Sequence, residues 1–217
     1  MQPIRWFLKP AVFAACLLPA LHMGVGALNA AGVLHVGGVS LGADPVKVML
    51  HTCGRWTLNF LMITLCMTPL RDLTHSTFWL RFRRMFGLFA FFYVVLHFSV
   101  YLFLDQSGKI GELWQDIVKR PYITVGMLGL TLLIPLAVTS TGKAQRRLGR
   151  RWTQLHRLIY VIAVLGVWHF WWQVKKDIRE PLLYACGLTL LLGYRLWKQR
   201  QSPSRISVAR FARIDEA

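Results

Sequence analysis

RWTQLHRLIYVIAVLGVWHFWW, residues 151–172, is the stretch on which the fold turns. Its length suits one helix crossing a hydrocarbon core of about 30 Å. It is apolar except near its ends, and each end carries a histidine, His156 and His169. Their separation of thirteen positions corresponds to roughly 20 Å of helical rise, so one imidazole falls in each leaflet. An ionisable side chain at membrane depth is expensive and marks function. Neutral imidazole is a common metal ligand and a usual axial ligand of haem iron. The helix therefore reads as one wall of a haem-based redox path.

The rest of the chain supports a membrane setting. Of 217 residues, 55% are apolar, and the mean hydropathy is +0.43. That is too apolar for a soluble domain of this size. The formal charge of +17 does not point to nucleic acid, because most of the basic residues sit in short loops between apolar runs, as membrane topology requires. Cys16, Cys53, Cys66 and Cys186 all lie in apolar runs, and none forms a C-x-x-C pair. This argues against a disulfide framework or a zinc site. C-x-x-C-H is absent as well, so any haem is expected to be the non-covalent b type.

Six apolar runs predict six transmembrane helices. The first, about 10–28, follows Arg5 and Lys9 and contains Pro19 and His22. It resembles a signal peptide but is long for one, and an uncleaved helix is the better reading. A glycine-rich loop with His35 leads to the second helix, about 46–68. There His51, Arg55 and Asn59 are spaced i, i+4, i+8 and share one face. An arginine that deep needs a partner. Haem propionates or a quinone or flavin head group would serve, and so would snorkelling to the interface. The third helix, about 85–104, carries His97 as its only ionisable group. A loop of mixed charge precedes the uncharged fourth helix, about 122–139. A strongly basic loop then leads to the fifth, already quoted, and the sixth spans about 182–197.

Counting Lys and Arg by side gives seventeen with the termini and loops 2–3 and 4–5. The opposite side has seven, nearly balanced by six acids. The positive-inside rule then puts both termini in the cytoplasm, with Trp168, Trp171 and Trp172 at the outer interface. The expected division is a first helix and outer loop (1–45), a haem-binding transmembrane core (46–198) and a basic cytoplasmic tail (199–217).

Helices three and five run parallel. His97 lies about seven residues from the outer end of its helix and His169 about three from the end of its own, so their depths differ by roughly 6 Å. A bis-histidine haem between them is the expected arrangement. His51 also falls on the outer side, as a second candidate ligand or as a hydrogen-bonding group for quinone. His156 is harder to place. Thirteen residues turn a straight helix through about 1300°, about 140° short of four turns, so His156 and His169 face different ways. A short 3₁₀ stretch would close part of that gap. Helix three offers His156 no histidine partner at matching depth. One haem is supported, and a second would need an unusual partner or five-coordinate iron.

LGADPV, HTCGRW with NFLMITLCMTPLRDL, VLHFSVY, LAVTSTGKAQRRLGRRWTQLHRLIYV and VWHFWW together resemble the MsrQ (YedZ) family. More distantly they resemble the ferric reductase-like transmembrane domain shared with NADPH oxidases. The resemblance covers about 39–197. It implies an all-α, polytopic, six-helix bundle in the bacterial inner membrane. It also implies a subunit that passes electrons from the quinone pool to a periplasmic molybdopterin methionine sulfoxide reductase, which repairs oxidised envelope proteins. The family is described with b-type haem and FMN. Carried over by position, the ligand candidates are His97, His156 and His169, and His51 matches a histidine in the same H-x-x-G-R context. Only about twenty residues follow helix six, and no G-x-G-x-x-G follows a predicted strand. No FAD or NAD(P)H domain is therefore expected, and electrons would arrive from quinol or from a separate flavin reductase. The rival readings are a stand-alone ferric or quinone reductase and a non-redox membrane protein.

Overall fold

Asp44 opens the central helix of the bundle. Its carboxylate accepts the Lys47 N–H at 3.0 Å, and Pro45, which has no N–H to leave unpaired, takes the first position. The structure is a computed structural model that describes residues 3–174 and 177–201, with side-chain surroundings from residue 7 onward. Its helices are α1 (Pro3–Ala30), α2 (Pro45–Thr74), α3 (Leu80–Ser99), α4 (Ile110–Lys119), α5 (Pro121–Val138), α6 (Gly142–Leu148), α7 (Arg150–His156), α8 (Leu158–Gln173) and α9 (Arg179–Gln201). A π-helical segment, Val100–Asp105, continues α3. There is no strand among the described residues.

Every apolar run forms a helix, but several boundaries and loops differ from expectation. The fifth run is one helical stretch, Arg150–Gln173, with a tighter turn inside it where the Arg157 N–H bonds the Gln154 carbonyl at 3.2 Å. At that turn α7 passes into α8, so His156 ends α7 and His169 stands on α8. The loop expected between helices three and four contains α4, whose Ile110, Trp114 and Val118 recur every four residues and are all exposed. The basic loop before α7 contains α6, capped by the Thr141 hydroxyl on the Ala144 N–H at 3.2 Å. The tail from residue 202 and Lys175 and Lys176 lie outside the described residues.

Four helical stretches are long and apolar enough to cross a membrane: Phe7–Ala30, Leu80–Asp105, Pro121–Val138 and Arg150–Gln173. Phe7, Phe103, Leu183 and Leu190 are each more than six-tenths exposed. Apolar side chains turned outward on this scale suit lipid rather than water. The chain is a membrane protein. Helices α2 and α9 are also long, but charged residues near their ends (Lys47, Arg55, Arg71 and Asp72; Arg179, Arg195 and Lys198) lower their hydropathy.

The core lies where α2 packs against α3 and α5 against α8. Cys53, Leu61, Leu65, Ala90 and Tyr93 are almost wholly buried there. Lipid is as apolar as leucine, so close packing and hydrogen bonds, rather than exclusion of water, hold such helices together. Arg195 of α9 donates to the Leu65 carbonyl at 3.0 Å, to Thr68 Oγ1 at 3.1 Å and to the Tyr160 hydroxyl, joining α9 to α2 and α8. Past the apolar part of α2, Asp72 accepts from Lys198, Arg71 and Tyr194. The Lys198 hydrogen bond, helped by Arg71 and Tyr194, holds its carboxyl down at about 2.

Tyr93 fixes α1. Pro19 interrupts the hydrogen-bond ladder of α1, and the buried Tyr93 hydroxyl enters the neighbouring rung. It donates to the Cys16 carbonyl at 2.9 Å and accepts the Ala20 N–H at 3.1 Å. Those two backbone groups would otherwise bond each other. Tyr93→Phe should therefore lower stability by about 1–2 kcal/mol, measured by thermal unfolding in detergent. An unchanged melting temperature would mean that the rung closes by itself.

Candidate functional site

Four helices, α2, α3, α5 and α8, enclose a cleft whose empty space, open mouth included, is about 1290 Å³. His97 and His169 both line it. Their ring centroids are 6.2 Å apart and their planes are almost perpendicular, at 88°. Each ring is held from behind by a backbone carbonyl. His97 Nδ1 lies 2.9 Å from the Leu50 carbonyl of α2, and His169 Nδ1 lies 2.7 Å from the Tyr122 carbonyl of α5. A carbonyl can only accept, so each Nδ1 carries the proton. In a neutral imidazole this leaves the Nε2 lone pair free. That is the tautomer a metal-binding histidine adopts when its other nitrogen is hydrogen-bonded.

The spacing also suits a metal. A metal–imidazole bond of about 2 Å plus a ring radius of about 1 Å, taken twice, gives roughly 6 Å between centroids. Among the described residues no three His, Cys, Asp or Glu side chains form a metal-binding group. Two protein nitrogens alone leave most of an iron's coordination sphere to another donor set, which a porphyrin supplies. The donor set thus fits haem better than a bare ion.

The mouth of the cleft is polar. His51, Arg55, Tyr101, Asp105, Arg120 and Gln173 line it. The Tyr101 hydroxyl donates to Asp116 at 2.7 Å, and Asp116 pairs with Arg120 at 3.2 Å. Arg55 has a protein partner that the sequence did not suggest, Glu180 of α9 at 3.2 Å. Both side chains are about half exposed, at 45% and 54%. Such a pair contributes about 0–1 kcal/mol, so Arg55 can change partners at little cost. Asn59, on the same face, accepts from the Tyr184 hydroxyl at 2.7 Å.

His156 is not among the cleft-lining residues. Its Nδ1–H donates to the Trp152 carbonyl at 3.0 Å, its Nε2 lies 3.5 Å from the Ser140 hydroxyl, and its ring stacks on Trp152 at 3.9 Å. Ser140 gives its proton to the Leu136 carbonyl at 2.6 Å, so His156 Nε2 also keeps its lone pair, at the opposite end of the bundle from the cleft. His22 and His35 are exposed and do not line the cleft.

Sequence reasoning missed the residues that hold the rings, although a signal for them exists. Both histidine–carbonyl pairs are 47 residues apart, and the two histidines are offset by 72. At that same offset, without gaps, Asp44-x-Val46-Lys47 matches Asp116-x-Val118-Lys119 and Thr52-x-Gly54 matches Thr124-x-Gly126. Val95-x-His97-Phe98 matches Val167-x-His169-Phe170, and Asp105 matches Asp177. Apolar composition does not supply matched Asp, Lys, Thr, Gly and His, so this is an internal repeat. The α2–α3 and α5–α8 pairs are its two copies. The same offset puts Arg84 at the position equivalent to His156. The Arg84 guanidinium bonds Gln145 at 2.9 Å.

A family model for the ferric reductase like transmembrane component matches residues 53–167. The chain is also similar to proteins named protein-methionine-sulfoxide reductase heme-binding subunit MsrQ. That of Xanthomonas campestris pv. campestris (strain 8004) is 52% identical over 191 residues, 88% of this chain and 86% of the relative. That of Rhodospirillum rubrum is 54% identical over 187 residues, 86% of each chain. That of Xanthomonas axonopodis pv. citri is 50% identical over 202 residues, 92% of this chain and 91% of the relative.

Proposed function

The chain belongs to the ferric reductase-like transmembrane family and, within it, to the MsrQ group, and from that premise we propose that it is a haem b-binding electron-transfer subunit. It serves a periplasmic molybdopterin methionine sulfoxide reductase and draws electrons from the quinone pool or a flavin reductase. The observation that carries this reading is the pair of neighbouring imidazoles, with centroids 6.2 Å apart, each locked by a carbonyl in the tautomer that frees Nε2. Bound there, haem supplies one-electron iron chemistry within the membrane. The chain's own residues do the rest. His97 and His169 ligate, and Leu50 and Tyr122 fix the ring tautomers. The apolar cleft walls exclude water and so help set the potential. Arg55 and Arg120 stand at the mouth, where they can neutralise the carboxylates of a bound porphyrin. His51, beside them, is a hydrogen-bonding group for that edge or for a quinone.

The orientation belongs to the same proposal. Helices α2 and α9 span with the four more apolar ones, and seventeen of the basic residues face the cytoplasm with both termini. The His97–His169 end then opens on the periplasm of an inner-membrane protein, where the partner docks.

The test is a reduced-minus-oxidised spectrum of the purified full chain, followed by addition of the partner. The expected result is b-type bands and reoxidation only when the partner and methionine sulfoxide are both present. Rapid reduction of Fe(III) without a partner would replace this reading with that of a stand-alone reductase. Absence of b-type bands would end both.

A further inference from the structure

The two ring-holding sites share one construction. In each, the carbonyl that accepts from a histidine lies four residues before a glycine: Leu50 before Gly54, and Tyr122 before Gly126. A helical side chain leans toward the N-terminus and covers the turn preceding its own Cα. A side chain at position 54 or 126 would therefore shield the very carbonyl that the imidazole uses. A Cβ built on Gly54 would lie 3.3 Å from His97 Cε1 and Nδ1. One built on Gly126 would lie 3.0 Å from the same atoms of His169. Glycine inside a helix is less favourable than alanine by about 0.5–1 kcal/mol. Both copies of the repeat nonetheless keep it at this position.

We infer that Gly54 and Gly126 are positioning residues that open the Leu50 and Tyr122 carbonyls to the imidazoles and so set the tautomer and orientation of both ligands. The inference rests on the reading of His97 and His169 as axial ligands. Neither glycine touches the reacting iron, and each acts through the ring packed on it. The two sites are not equal. The tighter approach at Gly126 makes His169 the more sensitive ligand, because its ring must give way by a few tenths of an ångström beside an added methyl.

The test uses the purified full-length chain with Gly126→Ala, Gly54→Ala and, as a control, Gly87→Ala. At Gly87 a Cβ meets only Thr64 Cγ2 at 3.9 Å. Absorbance and electron paramagnetic resonance report the low-spin fraction and ring orientation, and a redox titration reports the midpoint potential. Gly126→Ala should weaken haem retention about tenfold, the lower end of what loss of a ligand's hydrogen-bonding partner costs, and convert low-spin haem to high-spin. Added imidazole should restore the low-spin signal, which a collapsed bundle would not allow. Gly54→Ala should change in the same direction by less, and Gly87→Ala should match the parent. If Gly126→Ala does not yield folded protein, Gly54→Ala carries the test. An unchanged spectrum and potential in both site variants overturns the inference, as does equal loss in the Gly87 control. A parent protein without any bis-histidine signal overturns the ligand reading as well, which separates the two failures.

Discussion

Alanine in place of either His97 or His169 is expected to abolish the low-spin b-type spectrum, whereas His156→Ala should retain it. Each supplies one of the two carbonyl-braced imidazoles in the cleft, and among the described residues no other side chain there repeats that geometry. His51 lines the same cleft, but the carbonyl brace, the glycine and the offset of 72 residues single out the other two. His156 is hydrogen-bonded to its own helix and stacked on Trp152. Its loss should perturb the opposite end of the bundle without emptying the cleft. The measurement is haem content per chain together with low-spin resonance. Retention of a normal signal after loss of His97 or His169 would refute the pairing. Complete loss after His156→Ala would require a second, inner haem on which the first depends.

The second large effect concerns α9. Arg195 spans three helices through donors to Leu65, Thr68 and Tyr160. Its Nε is buried without a partner, so the guanidinium is held in place by its two terminal nitrogens. Arg195→Ala leaves a hydroxyl on α2 and another on α8 without their donor and should cost about 2–4 kcal/mol. The exposed Arg200, also on α9, offers a contrast: Arg200→Ala should change stability by less than about 0.5 kcal/mol. Thermal unfolding in detergent, followed by tryptophan fluorescence, distinguishes the two. Equal melting temperatures would show that packing alone keeps α9 on the bundle.

Sequence alone reveals the apolar runs and the relative depths of the histidines, because both depend on one-dimensional regularities: hydropathy over a window and a fixed rise per residue. The nearness of His97 to His169 follows from depth and parallel direction, and the ring centroids do lie 6.2 Å apart. The place of the tighter turn at Arg157 was not readable, because no proline or glycine marks it. The partner of Arg55 was not readable either. Glu180 is 125 residues away, and its approach depends on how α9 returns to α2. The amphipathic α4 was hidden by its charges, since a short helix with exposed Ile110, Trp114 and Val118 resembles a mixed loop when only composition is weighed. Leu50 and Tyr122 act through backbone atoms, which leave no mark on residue type. Only their glycines and the shared offset betray them.

The duplicated hairpin has a further consequence for directionality. Two identical units meeting around one centre would form an isologous pair, as in a two-fold dimer, with no distinction between entrance and exit. Covalent linkage of the copies lets each diverge. Position 51 is histidine where its counterpart 123 is isoleucine, and position 55 is arginine where 127 is methionine. Gly54, His97 and Asp105 keep their counterparts while positions 51 and 55 do not, so the asymmetry that the proposed one-way electron path would need resides in the pairs that no longer agree.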